Sequence, residues 1–342
     1  MRALAAGLSC LLAFVTGVAS AIQPEVLRSI GGLPAHIAGR FHELTVCRQL
    51  ADGRFLVFDR RSQTVFSVAP SADAPVEIVQ IGAEPGRILQ PFAFDVASDS
   101  TFVVADAPGG ANRLQAFLPS GSRLSGFVLP GRGVPLFIDG VAITGIGSLV
   151  ISGRSVFLSQ PESGALISEH GLDGVSARTF GELRPTGYEK DRPLHTALNS
   201  GLVVINPEGG FYYVFVTGVP AFRKYDRLGN LVFERHIEGT ELDVYMRTRP
   251  TTWPRRNTTD GELPVVRPVV RAAAADANGS LWISLDVPYT YVYDRRGEKQ
   301  RIVQFRAAGL VAPTNMSFTG AGRLLVTPGC FLFDPRIPGT GR

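Results

Sequence analysis

The feature that most constrains the fold of this 342-residue chain is a glycine that follows an apolar strand and recurs along the sequence. These glycines lie roughly 50 residues apart, which is the period of a repeat architecture. They are Gly31, Gly82, Gly131, Gly181, Gly239 and Gly309. The interval is longer after Gly181 and after Gly239. The pattern predicts one structural unit, repeated six times, that buries its apolar faces against its neighbours.

Short apolar strands separated by turn residues fill each interval. Examples are "RFLVFD" followed by "TVFSVAP" in the first repeat, and "FRKYD" followed by "NLVFERH" in the fourth. Each repeat therefore predicts four strands bounded by Gly, Pro, Asp or Asn, with almost no helical periodicity. Repeats of this kind are typical of propeller blades. The sequence predicts an all-β, six-bladed β-propeller with four antiparallel strands per blade.

The sixth repeat ends at "FLFDP", one strand short, while "PEVLRSIG" stands unassigned near the N-terminus. We expect this N-terminal strand to complete the last blade, because open sheet edges invite aggregation. Residues 22–342 then form a single domain, since half a ring would expose apolar blade faces. Closure also places Cys47 and Cys330 within bridging reach, for which Cα atoms lie less than about 7 Å apart. A disulfide and two buried thiols are both compatible with the residues.

Residues 1–21 have the layout of a secretory signal peptide. Arg2 precedes an apolar run from Ala3 to Val18, and small residues follow up to Ala21. We expect cleavage there and a secreted or periplasmic protein, in a compartment where disulfides persist. The run is shorter than the roughly 20 apolar residues of a membrane anchor, and no later stretch predicts a membrane span. A net charge of +4 in an exported chain does not indicate nucleic acid as a partner.

Repeats such as "LQPFAFDVASDSTFVVADAPGGANRLQAFLPSGSRL" resemble NHL-type six-bladed propellers. In that family a Pro-led inner strand precedes a "GxxYVAD"-like strand and an "RVQVF"-like strand. Asp59, Asp106 and Asp286 stand at the end of the second strand, as the family's aspartate does, whereas Ser159 and Thr217 replace it in repeats three and four. The resemblance covers nearly the whole mature chain. It implies a binding module, a lyase or a lactonase relative, so it constrains the fold more than the function.

Two long interblade loops, residues 182–200 and 240–268, account for the stretched intervals. Long loops without evident secondary structure in a compact domain are usually functional or disordered. We expect these two to lie side by side at the mouth of the central channel. The candidate ligand-binding residues are Tyr245, Arg247, Arg249, Trp253, Arg255 and Arg256 from the second loop, and Arg271 from the strand after it. Guanidinium groups suit carboxylate, sulfate or phosphate, and aromatic faces suit sugar or organic rings.

The binding interpretation predicts an anionic small molecule, glycan or peptide, or another protein, as partner. A soluble basic loop that binds no ligand is the plain alternative.

The alternative function is that of a metal-dependent hydrolase or lyase with a site in the central channel. The resemblance to NHL-type amidating lyases implies zinc held by histidines near inner strands, where His42 and His195 stand; zinc usually needs three protein ligands. A lactonase-like calcium site would need oxygen ligands, for which the candidates are Asp95, Asn206 and Asn315. Strand residues alternate faces, so the sequence alone does not show that they converge.

Overall fold

The computed structural model describes residues 22–130, 135–138, 141–144, 148–248, 252–258 and 261–336. Two short strands, β1 (Pro24–Arg28) and β2 (Gly31–Gly32), precede the first blade. Blade one consists of β3 (Leu44–Gln49), β4 (Phe55–Asp59), β5 (Thr64–Val68) and β6 (Val76–Val79). Blade two consists of β7 (Ala93–Val96), β8 (Phe102–Asp106), β9 (Arg113–Phe117) and β10 (Arg123–Val128). An insertion between blades two and three contains β11 (Pro135–Ile138) and β12 (Val141–Thr144).

Blade three consists of β13 (Leu149–Ser152), β14 (Ser155–Ser159), β15 (Ala165–Gly171) and β16 (Ser176–Glu182). Blade four consists of β17 (Gly201–Ile205), β18 (Phe211–Phe215), β19 (Ala221–Tyr225) and β20 (Leu231–His236). A second insertion contains β21 (Arg255–Thr258) and β22 (Gly261–Val266). Blade five consists of β23 (Val270–Ala275), β24 (Leu281–Leu285), β25 (Thr290–Tyr293) and β26 (Lys299–Arg306). Blade six consists of β27 (Asn315–Phe318), β28 (Leu324–Thr327), β29 (Phe331–Phe333) and β2.

The predicted six-bladed propeller of four-stranded antiparallel blades is therefore confirmed. The first strands of successive blades contact one another around a central channel. The second strands are the most buried, because each lies inside a sheet and packs on both faces against neighbouring blades; β4, β8, β18 and β24 are buried at every residue. The ring of Phe58 in blade one stacks on that of Phe94 in blade two, with centroids 5.4 Å apart.

The N-terminal segment closes the ring in two steps. β2 lies antiparallel to β29 in the last blade, while β1 lies parallel to β26 on the outer edge of blade five. The whole segment "PEVLRSIG" was expected in the last blade, and only its final glycine enters it. A Cβ on Gly32 would overlap the carbonyl oxygen of Cys330, so a glycine is required at this approach. β1 lies on blade five because Leu27 is buried in the apolar cluster between blades five and six.

Two further contacts hold the ends of the chain together. The Arg301 guanidinium pairs with the Glu25 carboxylate of β1 at 2.7 Å and donates to the Pro335 carbonyl oxygen at 3.0 Å. A disulfide joins Cys47 of blade one to Cys330 of blade six, with Cα atoms 5.8 Å apart. Closure thus depends on strand pairing, an ion pair and a covalent bond at the same junction.

The insertions differ from the expected structureless loops. They contain α2 (Arg192–Asn199) and α3 (Thr240–Arg247), while a one-turn helix, α1 (Ala35–Ala38), precedes blade one. β11 pairs with β22 in a sheet of order β12-β11-β22-β21. The apolar side chains of Leu194, Ala197 and Leu198 on α2 pack against Val266 of β22. We call α2 and this sheet the cap. Among the described helices, none has the length and hydropathy of a membrane span.

Candidate functional site

Two cavities open on the face that carries the interblade loops and the cap. One, of about 680 Å³, lies at the mouth of the central channel and is lined by residues from five blades, with Ile138 of the cap above them. The other, of about 800 Å³, lies over blade four, and its wall includes Leu198 and Val265 of the cap and Trp253 from the segment before β21. We call them the channel cavity and the lateral cavity.

An arginine holds the inner strands together inside the channel. Arg48 Nη2 lies 3.0 Å from Asp95 Oδ1, and Arg48 Nη1 donates to Asn315 Oδ1 at 2.7 Å. The second oxygen of Asp95 accepts the Ile151 backbone N–H at 3.1 Å. Two of the predicted calcium ligands therefore converge, but on a guanidinium that links blades six, one and two, and the network extends to blade three. This position already holds a positive charge, which disfavours a cation there.

The other predicted metal ligands lie apart from one another. Asn206 closes the turn between β17 and β18, where its side chain bonds the backbone of Glu208 and Gly209. His195 lies on α2, with Nδ1 2.7 Å from the Thr186 hydroxyl. His42 lines the channel cavity with a side chain that is 70% exposed. Over the described ranges, no three His, Cys, Asp or Glu side chains form a group that could hold a metal ion.

The aspartates that resemble the NHL pattern attach interblade loops to the second strands. Asp59 accepts the backbone N–H groups of His42 and Glu43 at 2.8 and 2.9 Å. Asp106 accepts the Leu89 N–H at 2.9 Å. Buried carboxylates with several such partners are satisfied. Their role in this chain is therefore structural.

Asp286 similarly bonds two residues that were predicted to bind a ligand. The Arg271 guanidinium forms an ion pair with Asp286, and the Tyr245 hydroxyl donates to the same carboxylate. In blades three and four, hydroxyls replace the aspartate: Ser159 bonds the Tyr213 hydroxyl, and Thr217 donates to a carbonyl oxygen of α2. Arg271 and Tyr245 thus serve the attachment of blade five to its insertion.

The predicted arginine cluster does not gather in one place. Arg247 ends α3 on the surface, and Arg256 lies exposed on β21. Arg255 forms an ion pair with Asp191, the residue that caps α2. Arg249 lies outside the described residues. Trp253, from the same loop, lines the lateral cavity.

Other charged residues supply the polar wall of the lateral cavity. They are Arg184 from the loop after β16, Arg223 of β19, Glu234 of β20 and Arg267 after β22, and the polar side chains of Thr186, Tyr188 and His236 lie beside them. The apolar wall consists of Pro185, Leu198, Val219, Met246, Trp253, Pro254 and Val265. Both long interblade insertions thus contribute to one cavity, which lies over blade four rather than at the channel mouth.

Arg184 is the central polar group of this cavity. Its guanidinium lies 4.0 Å from the centroid of the Phe215 ring and donates to three backbone carbonyls, those of Leu198, Thr217 and Val219. Burial lowers the pKa of Arg184 to about 10. No carboxylate among the described residues forms an ion pair with it. A half-buried cation without an ion-pair partner favours an anion from outside the protein.

Arg223 has the same aromatic neighbour but a different balance of charge. Its guanidinium lies 5.4 Å from the Phe215 centroid and pairs with Glu234 at 2.6 Å. Arg267 lies exposed at the rim, where no hydrogen bond or ion pair with the described residues is found for its side chain. The cavity therefore carries a net positive charge that comes from Arg184 and Arg267.

The sequence interpretation did not identify Arg184 or Arg223. A usable signal was present in β19, where "AFRKY" places arginine in an otherwise buried strand, and Arg223 is only 9% exposed. Arg184 lay within a loop predicted to be functional, but its aromatic partner, Phe215, lies on another blade. Only the fold brings them together.

No family model matches the chain, and no curated protein matches it. Among solved structures, a streptogramin B lyase is 11% identical over 84% of this chain and 76% of its own, with a TM-score of 0.52. A virginiamycin B lyase from Staphylococcus aureus is 12% identical over 82% of this chain and 76% of its own, with a TM-score of 0.50. At such identities the similarity shows the fold alone, a β-propeller.

Proposed function

We propose that this protein is a binding protein that holds an anionic ligand in the lateral cavity. The observation that carries the proposal is Arg184, a desolvated guanidinium without a carboxylate partner among the described residues, in a cavity of about 800 Å³. Cavities of about 300–1,000 Å³ hold ligands of drug-like size. A charge-assisted hydrogen bond shielded from water contributes about 1.5–3 kcal/mol.

The proposed ligand is an anion, as the sequence predicted, but most of the residues that bind it differ from the predicted ones. Arg255 is engaged by Asp191, and Arg271 by Asp286, so neither offers a free charge to a ligand. Trp253 keeps its proposed role because it lines the same cavity as Arg184. The channel is less suited to an anion, since Arg48 there is already balanced by Asp95.

The proposed setting is outside the cytoplasm. This part rests on the signal-like residues 1–21 and on the disulfide between Cys47 and Cys330. Mass spectrometry of the secreted or periplasmic protein should give a chain that starts at Ile22 and lacks free thiols. A chain that keeps its first residues and stays in the cytoplasm would contradict export.

A thermal-shift screen of anions tests the binding proposal, because a ligand of the native state raises the melting temperature by mass action. Replacement of Arg184 by Gln should weaken binding of an anion found in the screen about tenfold, or about 1.4 kcal/mol, and replacement of the exposed Arg267 by Gln should weaken it by a smaller factor. The matched control is Arg296→Gln, an exposed arginine in the turn after β25 that lines neither cavity. If Arg184→Gln fails to fold, the anion affinity of Arg267→Gln is the test of the proposal. Unchanged affinity in both variants would contradict the proposal.

A further inference from the structure

The charge balance of the lateral cavity indicates how much negative charge its ligand carries. Arg223 is paired with Glu234, whereas Arg184, the half-buried guanidinium beside it in this cavity, has no ion-pair partner among the described residues. Three of the five N–H groups of Arg184, both on Nη2 and one on Nη1, are used by backbone carbonyls, which leaves one N–H on Nη1 and one on Nε. A polyanion would also approach the Glu234 carboxylate and be repelled by it. One carboxylate fits this arrangement better than a phosphate or a polyanionic glycan.

The lining of the lateral cavity indicates the polarity of the rest of the ligand. Most of the lining is apolar, with Leu198, Val219 and Val265 beside Pro185 and Pro254. Glycans and phosphorylated metabolites would leave hydroxyl groups without partners against such walls.

Trp253 and Met246 line the same cavity from the second insertion. An aromatic ring and a flexible thioether both adapt to apolar chains and rings of varied shape. Their presence favours an aliphatic or aromatic body over a rigid polar one.

We infer that the lateral cavity binds a small amphiphilic monocarboxylate, with its carboxylate at Arg184 and its apolar body against Trp253 and Met246. This inference rests on the proposed function and narrows it from anions in general to one chemical class. The carboxylate belongs either to a free organic acid or to the C-terminus of a short apolar peptide, and both present the same two parts to the cavity.

Isothermal titration with hexanoate, octanoate and decanoate below their micelle concentrations tests the inference. The dissociation constant should fall about three- to fourfold for each added methylene until the cavity is full. Octanol and octylamine should bind at least tenfold more weakly than octanoate. Gluconate and inorganic phosphate should bind more weakly still, because they have no apolar body.

Two variants test the carboxylate and the apolar body of the ligand separately. Arg184→Gln should remove the preference for octanoate over octanol, and Trp253→Ala should reduce the gain per methylene, whereas Arg296→Gln should behave as the wild type. An acetylated dipeptide with an apolar C-terminal residue, tested as acid and as amide, separates the two sources. Tighter binding of the dipeptide acid than of octanoate assigns the site to peptides, and the reverse order assigns it to free acids.

Results that contradict only this inference differ from results that also contradict the proposed function. If gluconate or phosphate binds as tightly as octanoate and that binding is lost in Arg184→Gln, the inference is wrong and anion binding stands. If octanol binds as tightly as octanoate, or if no anion depends on Arg184 or Arg267, the proposed function fails as well.

Discussion

The central channel and the lateral cavity both contain arginines among buried side chains, but the two regions balance them differently. In the channel, Arg48 is enclosed by the Asp95 carboxylate and the Asn315 amide, so its charge is used to hold blades together. In the lateral cavity, Arg184 is held by neutral carbonyls and an aromatic ring. A balanced buried charge stabilises the ring, whereas an unbalanced one is available to a ligand.

A second charged group without an ion-pair partner lies beside α2. The Oε2 atom of Glu162 is buried without a hydrogen-bond partner, and burial raises the pKa of this carboxyl to about 7. Its backbone carbonyl accepts from Arg192 of α2 at 3.4 Å. Both unbalanced charges therefore lie beside the cap, while the ring interior near its closure has its charges paired.

Loss of ring closure should have the largest effect. Deletion of residues 22–31 removes β1, the buried Leu27 and half of β2, and exposes the edges of blades five and six. We expect a loss of more than about 4 kcal/mol in the free energy of unfolding, or aggregation. Chemical denaturation measures it, and an unchanged midpoint would contradict closure by this segment.

A matched pair of glycines makes the same test with single substitutions. Gly32→Ala should be strongly destabilising because its Cβ meets the Cys330 carbonyl, whereas a Cβ at Gly320 meets nothing within 4 Å. Equal stability of Gly32→Ala and Gly320→Ala would argue against the close approach at the junction.

Removal of the channel arginine should have the next largest effect. Arg48→Ala leaves the buried Asp95 carboxylate without its cation and should cost about 2–4 kcal/mol of unfolding free energy. Asp95→Asn in the same background should restore part of it, because the unpaired charge is removed. Octanoate affinity should not change, since Arg48 lines neither cavity. Additive losses in the double variant would show that the two side chains do not interact.

The ring was predictable because its signals are local. Each second strand carries its own run of apolar residues, and the glycine and aspartate that flank it mark turns, so one repeat supports the next. The insertion that contains β11 and β12 was missed for the same reason. Its apolar segments resemble blade strands, and Gly131 fell at the expected interval.

The candidate site was less predictable because its interactions are long-range. The arginine-rich run suggested a cluster, but Asp191 and Asp286, which engage Arg255 and Arg271, are distant in sequence. Asp95 and Asn315 did converge, although the group between them, Arg48, belongs to a third blade. Whether a charge is balanced depends on the residues that lie next to it in the fold, and the spacing of residues in the sequence does not identify those neighbours.

Glu162 should make stability depend on pH in the opposite direction to a paired carboxylate. Its folded pKa of about 7 lies above the usual 4.5 of a glutamate carboxyl, so the folded state holds the proton more tightly than the unfolded state. Stability from this group is complete below about pH 4.5 and is lost as pH rises to about 7. Relative to Glu162→Gln, the wild type should lose about 1–3 kcal/mol between pH 5 and pH 8. A constant difference between the two proteins over that range would contradict the assignment.

The smallest effect is expected at Arg255. Its pair with Asp191 is partly exposed, so Arg255→Ala should cost no more than about 1 kcal/mol and should leave octanoate affinity unchanged. Asp191→Ala should cost more, because it also removes the cap of α2. A tenfold loss of affinity in Arg255→Ala would instead favour the arginine-rich loop as the ligand site.

A crystal structure with 8-bromooctanoate tests the central claim most directly, because the anomalous signal of bromine locates the apolar end of the ligand. The account predicts a bromine peak inside the lateral cavity, beside Trp253 or Met246, and a carboxylate within hydrogen-bond distance of the Arg184 guanidinium. A bromine peak in the channel cavity, or on the outer surface of the blades, would contradict it.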